Sequence, residues 1–425
     1  MKLTVIPSRL RGTVSVPPSK SQAHRLIIGA ALAEGTSHIA NLAESQDIRA
    51  TLNCMERLGA KISPDGSEIT GIRPDTTRKE LPVLDCGESG STIRFLMPVA
   101  LAVAGGGVFL GRGRLLERPY GPYEEIFARQ GIEFRRESGR IILSGTLRPG
   151  AFALPGDVSS QFITGLLYAL PLLDGDSDLV LTTPLESRGY VDLTLEALRQ
   201  FQVTSLPLRQ WSYHSVLEKL KQNGVTATDT GWHIFGGQRY QAADVTVEGD
   251  YSQAANYILA KGLGNDLSVT GLNPSSVQGD RVVLQYAEQL DGPGDVTLDV
   301  SQCPDLVPAL AVRAALRAGE VTRIVGAARL RLKESDRLAA VTAELNRIGG
   351  EVRETPDSLV IQGVEHFRGG SCYGHQDHRI VMMLAMAATC STGEIVIDGA
   401  EHVAKSYPTF WSDYEGLGGQ IRRTE

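Results

Sequence analysis

Apolar positions along this chain alternate between two rhythms. A short β-branched run gives way to a polar loop, then to a stretch whose apolar residues fall three and four apart, the period of a helix with one buried face. The succession occurs six times: Gly35 through Asp47 to Gly59, Gly107 through Arg118 to Gly131, Asp178 through Arg188 to Val203, Leu267 through Arg281 to Gly292, Glu320 through Lys333 to Gly350, and Glu394 through Lys405 to Gly419. Several copies then add a turn and another strand, as in Arg140–Gly145 and Ser358–Gly363. Each copy therefore reads as an α+β module, with strands lining one face and helices covering it.

A chain of 425 residues is too long for one ordinary core. Two domains of three copies each are the expectation, with the boundary near Gly236-Gly237. The opening stretch Met1–Val16 reads as strands preceding the first copy, and Pro17-Pro18 as a stiff hinge. Crossing at Pro17–Lys20 and returning near Gly237 would give domain I as residues 1–18 plus 238–425 (copies four to six) and domain II as 19–237 (copies one to three). Two strands would then link the domains, and a cleft between them would close by hinge motion. Residues 204–224 do not fit the module; they read as an insertion with a short helix over 215–222.

Composition narrows the function. Hydrophobic residues make up 42% and charged residues 21%, as in soluble globular proteins. A net charge of -7 argues against a general nucleic-acid or membrane surface. No apolar run nears the ~18 residues of a membrane span, and the start Met-Lys-Leu-Thr-Val-Ile-Pro is too short and mixed for a signal peptide. Five scattered cysteines without a Cys-x-x-Cys pair suit reduced thiols in a cytoplasm.

Against that acidic background the cations cluster ahead of helices. In Arg329-Leu-Arg-Leu-Lys-Glu-Ser-Asp-Arg337 four cations surround Glu334 and Asp336, and the helical period begins at Leu338. Alone, such a run fits a solvated, salt-bridged helix start. On a helix, Lys333 and Arg337 would share a face with Glu334 between them. The same placement recurs in Pro17-Pro-Ser-Lys20-Ser21-Gln-Ala-His-Arg25, Cys86-Gly-Glu-Ser-Gly90-Ser91-Thr-Ile-Arg94, Arg112-Gly-Arg114-Leu-Leu-Glu-Arg118, Ser159-Ser160-Gln161, Gln376-Asp377-His378-Arg379 and Ala404-Lys405-Ser406. A cation at a helix N-terminus is locally unfavourable by roughly 0.3–1 kcal/mol, and a bound anion would offset that. Cys372, His375, Asp377 and His378 match no standard zinc spacing, and a helix-start hydrogen-bond network fits them better.

Together these stretches resemble the enolpyruvyl transferases of the EPSP synthase family, over nearly the whole chain. The most specific pieces are Pro-Ser-Lys20-Ser21-x-x-x-Arg25, Ser-Ser-Gln161, Pro304-Asp305, Lys333-Glu334-Ser-Asp-Arg337, Asp-His378-Arg379 and Lys405. The sibling family acting on UDP-N-acetylglucosamine has asparagine after the first lysine and normally a reactive cysteine in the loop Arg112–Tyr120 occupies here. The resemblance implies a two-domain, inverse α/β barrel-like fold with three βαβαββ repeats per domain. It implies transfer of the enolpyruvyl group of phosphoenolpyruvate to the 5-hydroxyl of shikimate 3-phosphate, by addition then elimination. By resemblance, Lys20, Ser21, Arg25, Ser159, Ser160, Gln161, Ser187, Asp305 and Lys333 hold shikimate 3-phosphate. Lys20, Gly90, Arg118, Gln161, Arg337, Arg379 and Lys405 hold phosphoenolpyruvate. Glu334 would be the general acid, Asp305 would accept or orient the attacking hydroxyl's proton, and Lys20 completes the catalytic set. No cofactor or metal is implied, and a cytoplasmic monomer is expected.

Four departures stand out. Glu88-Ser-Gly90-Ser91 replaces the family's Asn-Ala-Gly-Thr, so only Gly90 carries over. Phe95 stands where a proline is usual, Arg329 where an asparagine is usual, and residues 204–224 have no counterpart. Two rival readings are a serine hydrolase built on Ser89, a near miss to the Gly-x-Ser-x-Gly elbow, and a non-catalytic anion-binding protein.

Overall fold

Pairing, more than order along the chain, decides which strands share a sheet. The computed structural model describes residues 1–73, 80–210, 218 and 227–424. The chain forms two units, Lys20–Val247 and Met1–Ser19 with Glu248–Glu425. The helix expected over 215–222 lies, Glu218 apart, outside the described residues.

In the Lys20–Val247 unit the helices are α1 (Lys20–Leu32), α2 (Gln46–Leu58), α3 (Gly90–Ala104), α4 (Gly121–Arg129), α5 (Ser160–Ala169) and α6 (Arg188–Gln200). Strands Val83–Asp85, Gly106–Leu110, Glu133–Glu137 and Arg140–Ser144 show the repeating pattern. The first two are parallel across α3, and the last two form a hairpin whose second strand pairs antiparallel with Gly106–Leu110. Strand, helix, parallel strand, helix, hairpin is βαβαββ. Strands Ala151–Leu154, Ser177–Leu181, Ser205–Pro207 and Gly231–Ile234 repeat it with α5 and α6. The module thus begins one strand and one helix earlier than the apolar rhythm marked. The loop after the second strand stood out in sequence because its helix is amphipathic, whereas α3 and α5 are buried on nearly all sides.

The first repeat borrows its leading strand. Asp244–Thr246 runs parallel to Thr36–Ala40, with Val245 opposite Ile39. That pairing carries the unit to Val247, past the Gly236-Gly237 at which the sequence suggested the return. Helix ends follow local rules: Ser45 accepts from Ile48 N to start α2, and Gly59 at φ 119 turns its N–H back onto Met55 and Glu56 to end it.

The other unit carries α7 (Tyr251–Lys261), α8 (Val283–Asp291), α9 (Val307–Ala315), α10 (Arg337–Arg347), α11 (His378–Ala388) and α12 (Phe410–Gly416). Strands Val296–Asp299, Val321–Val325, Glu351–Glu354 and Leu359–Gln362 form a full four-stranded sheet. The Met1–Val16 stretch serves two other sheets. Strand Arg11–Ser15 pairs parallel with Asp266–Thr270, while Lys2–Ile6 lies between Ile395–Asp398 and Gln420–Thr424. Every residue of α11 is buried. At ~1.5–3 kcal/mol for each large apolar side chain buried, Ile380, Met382, Met383 and Leu384 make this helix a main source of the unit's stability. Among the described residues no helix is long and apolar enough to cross a membrane.

Candidate functional site

Helices α1, α2, α3, α5 and α6 of the Lys20–Val247 unit are stitched together by polar side chains of their first two turns. His24 Nδ1 of α1 lies 2.7 Å from Thr51 Oγ1 of α2, and Thr51 lies 2.7 Å from Thr92 Oγ1 of α3. Gln161 of α5 donates to Ser91 Oγ of α3 at 3.0 Å. Thr164 of α5 meets Thr194 of α6 at 2.8 Å, and Arg25 of α1 donates to Thr194 at 2.9 Å, which closes a ring. Thr51, Thr92, Thr164 and Thr194 are fully buried, so each hydroxyl needs its partner, and the ring fixes the helix starts relative to one another.

The expected residues of this unit sit on or beside that ring. Lys20 opens α1 and pairs with Asp47 at 2.8 Å. Arg25, 2% exposed, stacks over Phe95 at 5.1 Å and donates to the carbonyls of Ser21 and Tyr190. Burial pulls its guanidinium down to about 10. Burial, with Lys20 and Arg25 adding, also keeps His24 neutral. Ser159 caps α5 by accepting from Gln161 N, and Ser160 opens the helix. Ser187 holds φ 55 just ahead of α6, a conformation that non-glycine residues seldom adopt. Gly90 opens α3, and a Cβ there would stand 2.6 Å from Arg118 Nη1. The Arg118 guanidinium thus lies directly over the helix start, with its Nε buried and without a protein hydrogen bond.

Ser89 is 1% exposed, and its Oγ accepts from both Thr92 N and Thr92 Oγ1. It is the cap of α3, and the strained, exposed geometry of a nucleophile elbow is absent at this residue.

The other unit gathers charge around Asp305. Its carboxylate lies 2.8 Å from Arg337 Nη1, 3.2 Å from Arg379 Nη2 and 3.4 Å from Lys333 Nζ. Arg337, 1% exposed, also binds Glu334 at 2.6 Å and Asp377 at 2.7 Å. Burial alone would raise the Asp305 carboxyl, but Arg379, Lys333 and Arg337 outweigh it and hold it well below the carboxylate range. Burial lowers Lys333, against the pull of Asp305. Lys405 donates to the Gln376 carbonyl at 2.8 Å, at the turn that leads into α11.

The charged run lies in a turn ahead of the helix and on its first residue, so the face that Lys333 and Arg337 would share on a helix is not formed. Ala328–Leu332 is a 3-10 turn, Lys333 is extended, and α10 starts only at Arg337, because Asp336 caps it by accepting from Ala339 N. Lys333 and Arg337 converge on Asp305 through a turn, with Glu334 on Arg337. Arg331 is an anchor, bound to Asp336 and Glu354 at 2.9 Å each. Arg329 donates to the Ser301 carbonyl.

Several partnerships were not legible in sequence. Asp47 pairs with Lys20 across 27 positions, and Asp377, which caps α11, pairs with Arg337 across 40. Asp280, 4% exposed, is pushed up to about 7 by burial and then by Asp305. The only signal for each was a carboxylate in a loop before a helix.

Comparison with known proteins follows this geometry. The family model described as EPSP synthase (3-phosphoshikimate 1-carboxyvinyltransferase) matches residues 5–414. A 3-phosphoshikimate 1-carboxyvinyltransferase of Clostridium perfringens is 43% identical across 99% of both chains. One from Clostridioides difficile is 41% identical across 99% of this chain and 98% of its own. A solved EPSP synthase from Acinetobacter baumannii superposes with a TM-score of 0.78 at 24% identity and covers both chains fully, a likeness of fold.

Proposed function

The chain belongs to the EPSP synthase family, and from that premise we propose how it works as an enzyme of the shikimate pathway. The enolpyruvyl group of phosphoenolpyruvate passes to the 5-hydroxyl of shikimate 3-phosphate, and phosphate leaves. The observation that carries this reading is the charge gathered at helix starts. Lys20, Arg25 and Arg118 stand at or over helix starts in the Lys20–Val247 unit, with Asp47 on Lys20. Lys333, Arg337 and Arg379 stand around Asp305, Glu334 and Asp377 in the other, with Lys405 on the carbonyl of Gln376 next to Asp377. The two substrates carry two phosphates and two carboxylates, and guanidinium forks over N–H groups suit such oxyanions.

Shikimate 3-phosphate is assigned to Lys20, Ser21, Arg25, Ser159, Ser160, Gln161, Ser187, Asp305 and Lys333. Phosphoenolpyruvate is assigned to Lys20, Gly90, Arg118, Gln161, Arg337, Arg379 and Lys405. Glu334 delivers a proton to the methylene carbon of phosphoenolpyruvate, and the 5-oxygen of shikimate 3-phosphate bonds to C2. The tetrahedral adduct then loses a proton from the methyl carbon and expels phosphate, restoring the double bond. Asp305 acts first by orienting the 5-hydroxyl, since its three cations make it a weak base. Bound oxyanions compete for Arg337, Arg379 and Lys333, and that competition restores its basicity when the hydroxyl must lose its proton. The five free thiols support a cytoplasmic setting.

Phosphate release from phosphoenolpyruvate plus shikimate 3-phosphate, compared with UDP-N-acetylglucosamine as acceptor, tests the reading. Signal with the first acceptor alone is expected; binding of both substrates without release would overturn it. Gly90→Ala sharpens the test. Its Cβ would displace Arg118, so KM for phosphoenolpyruvate should rise by about tenfold, the size of one lost charge-assisted hydrogen bond of ~1.5 kcal/mol. Unchanged steady-state KM would remove Arg118 from the phosphoenolpyruvate set.

A further inference from the structure

Arg94 lies in α3, four residues past Gly90, and nothing in the reaction scheme uses it. Its guanidinium, 7% exposed, reaches two elements at once. Nη1 donates to Gln161 Oε1 of α5 at 2.8 Å, and Nη2 donates to the Pro119 carbonyl at 3.1 Å. The group lies 4.9 Å from the ring centroid of Phe162 and 5.6 Å from that of Tyr120. The backbone beneath is fixed as well. Tyr123 Oη donates to the carbonyls of Arg94 and Phe162, at 2.8 and 3.0 Å. Gly165 permits this approach of α3 and α5: a Cβ there would stand 2.3 Å from Tyr123 Oη and 2.6 Å from Arg94 O.

We propose that Arg94 is a positioning residue: it sets the direction of the Gln161 amide and holds the turn that carries Arg118, and so governs the use of phosphoenolpyruvate without touching it. The inference rests on the function proposed above. A guanidinium only donates, so Gln161 must turn its oxygen toward Arg94. Its Nε2 then faces Ser91 Oγ at 3.0 Å, with a second N–H left to offer an anion. Without Arg94 the amide can flip and present an oxygen where an anion needs a donor. Pro119 directly follows Arg118, so the second hydrogen bond pins the backbone that places the Arg118 guanidinium over Gly90. An arginine that only tied α3 to its neighbours would satisfy the same carbonyl and rings, so the decisive measurement is its coupling to Gln161.

The test is a double-mutant cycle on the full-length protein, scored as kcat/KM for phosphoenolpyruvate in phosphate release. Met fills the apolar slot between Phe162 and Tyr120 and donates nothing. Arg94→Met should lower kcat/KM by about thirtyfold in the native background, and by less than about fivefold in a Gln161→Ala background, because residues acting as one unit are not additive. Arg94→Lys keeps the cation but supplies a point charge where the fork reached two acceptors, so it should fall between. Equal losses in both backgrounds, or native values for Arg94→Met, overturn the proposal. If Arg94→Met lowers the thermal midpoint to the assay temperature, the same cycle with Arg94→Lys decides on the same criterion. Absence of turnover by the unmodified protein would instead sink the functional reading.

Discussion

Glu334→Gln should abolish turnover while shikimate 3-phosphate still binds. The carboxylate lies 2.6 Å from Arg337 Nη2, and its side chain is only partly exposed. Glutamine keeps the shape and an oxygen that Arg337 can address, but it has no acidic proton to place on carbon. A positioned general acid contributes ~10²–10⁴ in rate. A loss of about 10²–10⁴ is therefore expected, with kcat and kcat/KM falling together, as for an interaction made only in the transition state. Single-turnover phosphate release, beside a calorimetric titration of shikimate 3-phosphate, separates chemistry from binding. Near-normal release by the variant would take the acid role from Glu334.

Arg337→Met should weaken the fold as well as the chemistry. One guanidinium serves Asp305, Glu334 and Asp377, and Asp377 is completely buried. Removing one partner of a buried ion pair typically costs ~3–5 kcal/mol, because a charge is left uncompensated. The pH dependence has a definite sign. Although burial raises both, Arg337 is the first of the cations that lower Asp377 and one of those that lower Asp305. A lowered native pKa adds stability above the unfolded value of about 4 and loses it as pH falls further. The gap between native protein and variant should thus be widest near neutral pH and narrow progressively as pH falls from about 4 through the lowered native values. Denaturant unfolding at several pH values would show it, and a gap that does not depend on pH would contradict the account.

The sequence made local features legible and left distant partnerships hidden. The repeats, the cations before helices and the cluster of Lys333, Glu334 and Arg337 all lie within a few positions of one another. Periodicity and composition could find them. The face that Lys333 and Arg337 would share on a helix is not formed because the cap at Asp336 delays the helix, and Arg331 holds that cap in place from the side. Asp377 looked like an ordinary helix cap, and it is one; its ion pair with Arg337 needs α10 and α11 packed side by side. Arg94 was visible in its motif but had no readable role, since its partners Pro119 and Gln161 come from a later turn and another helix. Strand Asp244–Thr246 was not read in the sequence at all, and its pairing with Thr36–Ala40 joins positions 206 residues apart.

The position of strand Lys2–Ile6 sets a timetable for synthesis. It leaves the ribosome long before its sheet partners, Ile395–Asp398 and Gln420–Thr424. Every strand of the Lys20–Val247 unit is available long before then. That unit can close on the nascent chain, while Lys2–Ile6 waits unpaired until those two strands have been made.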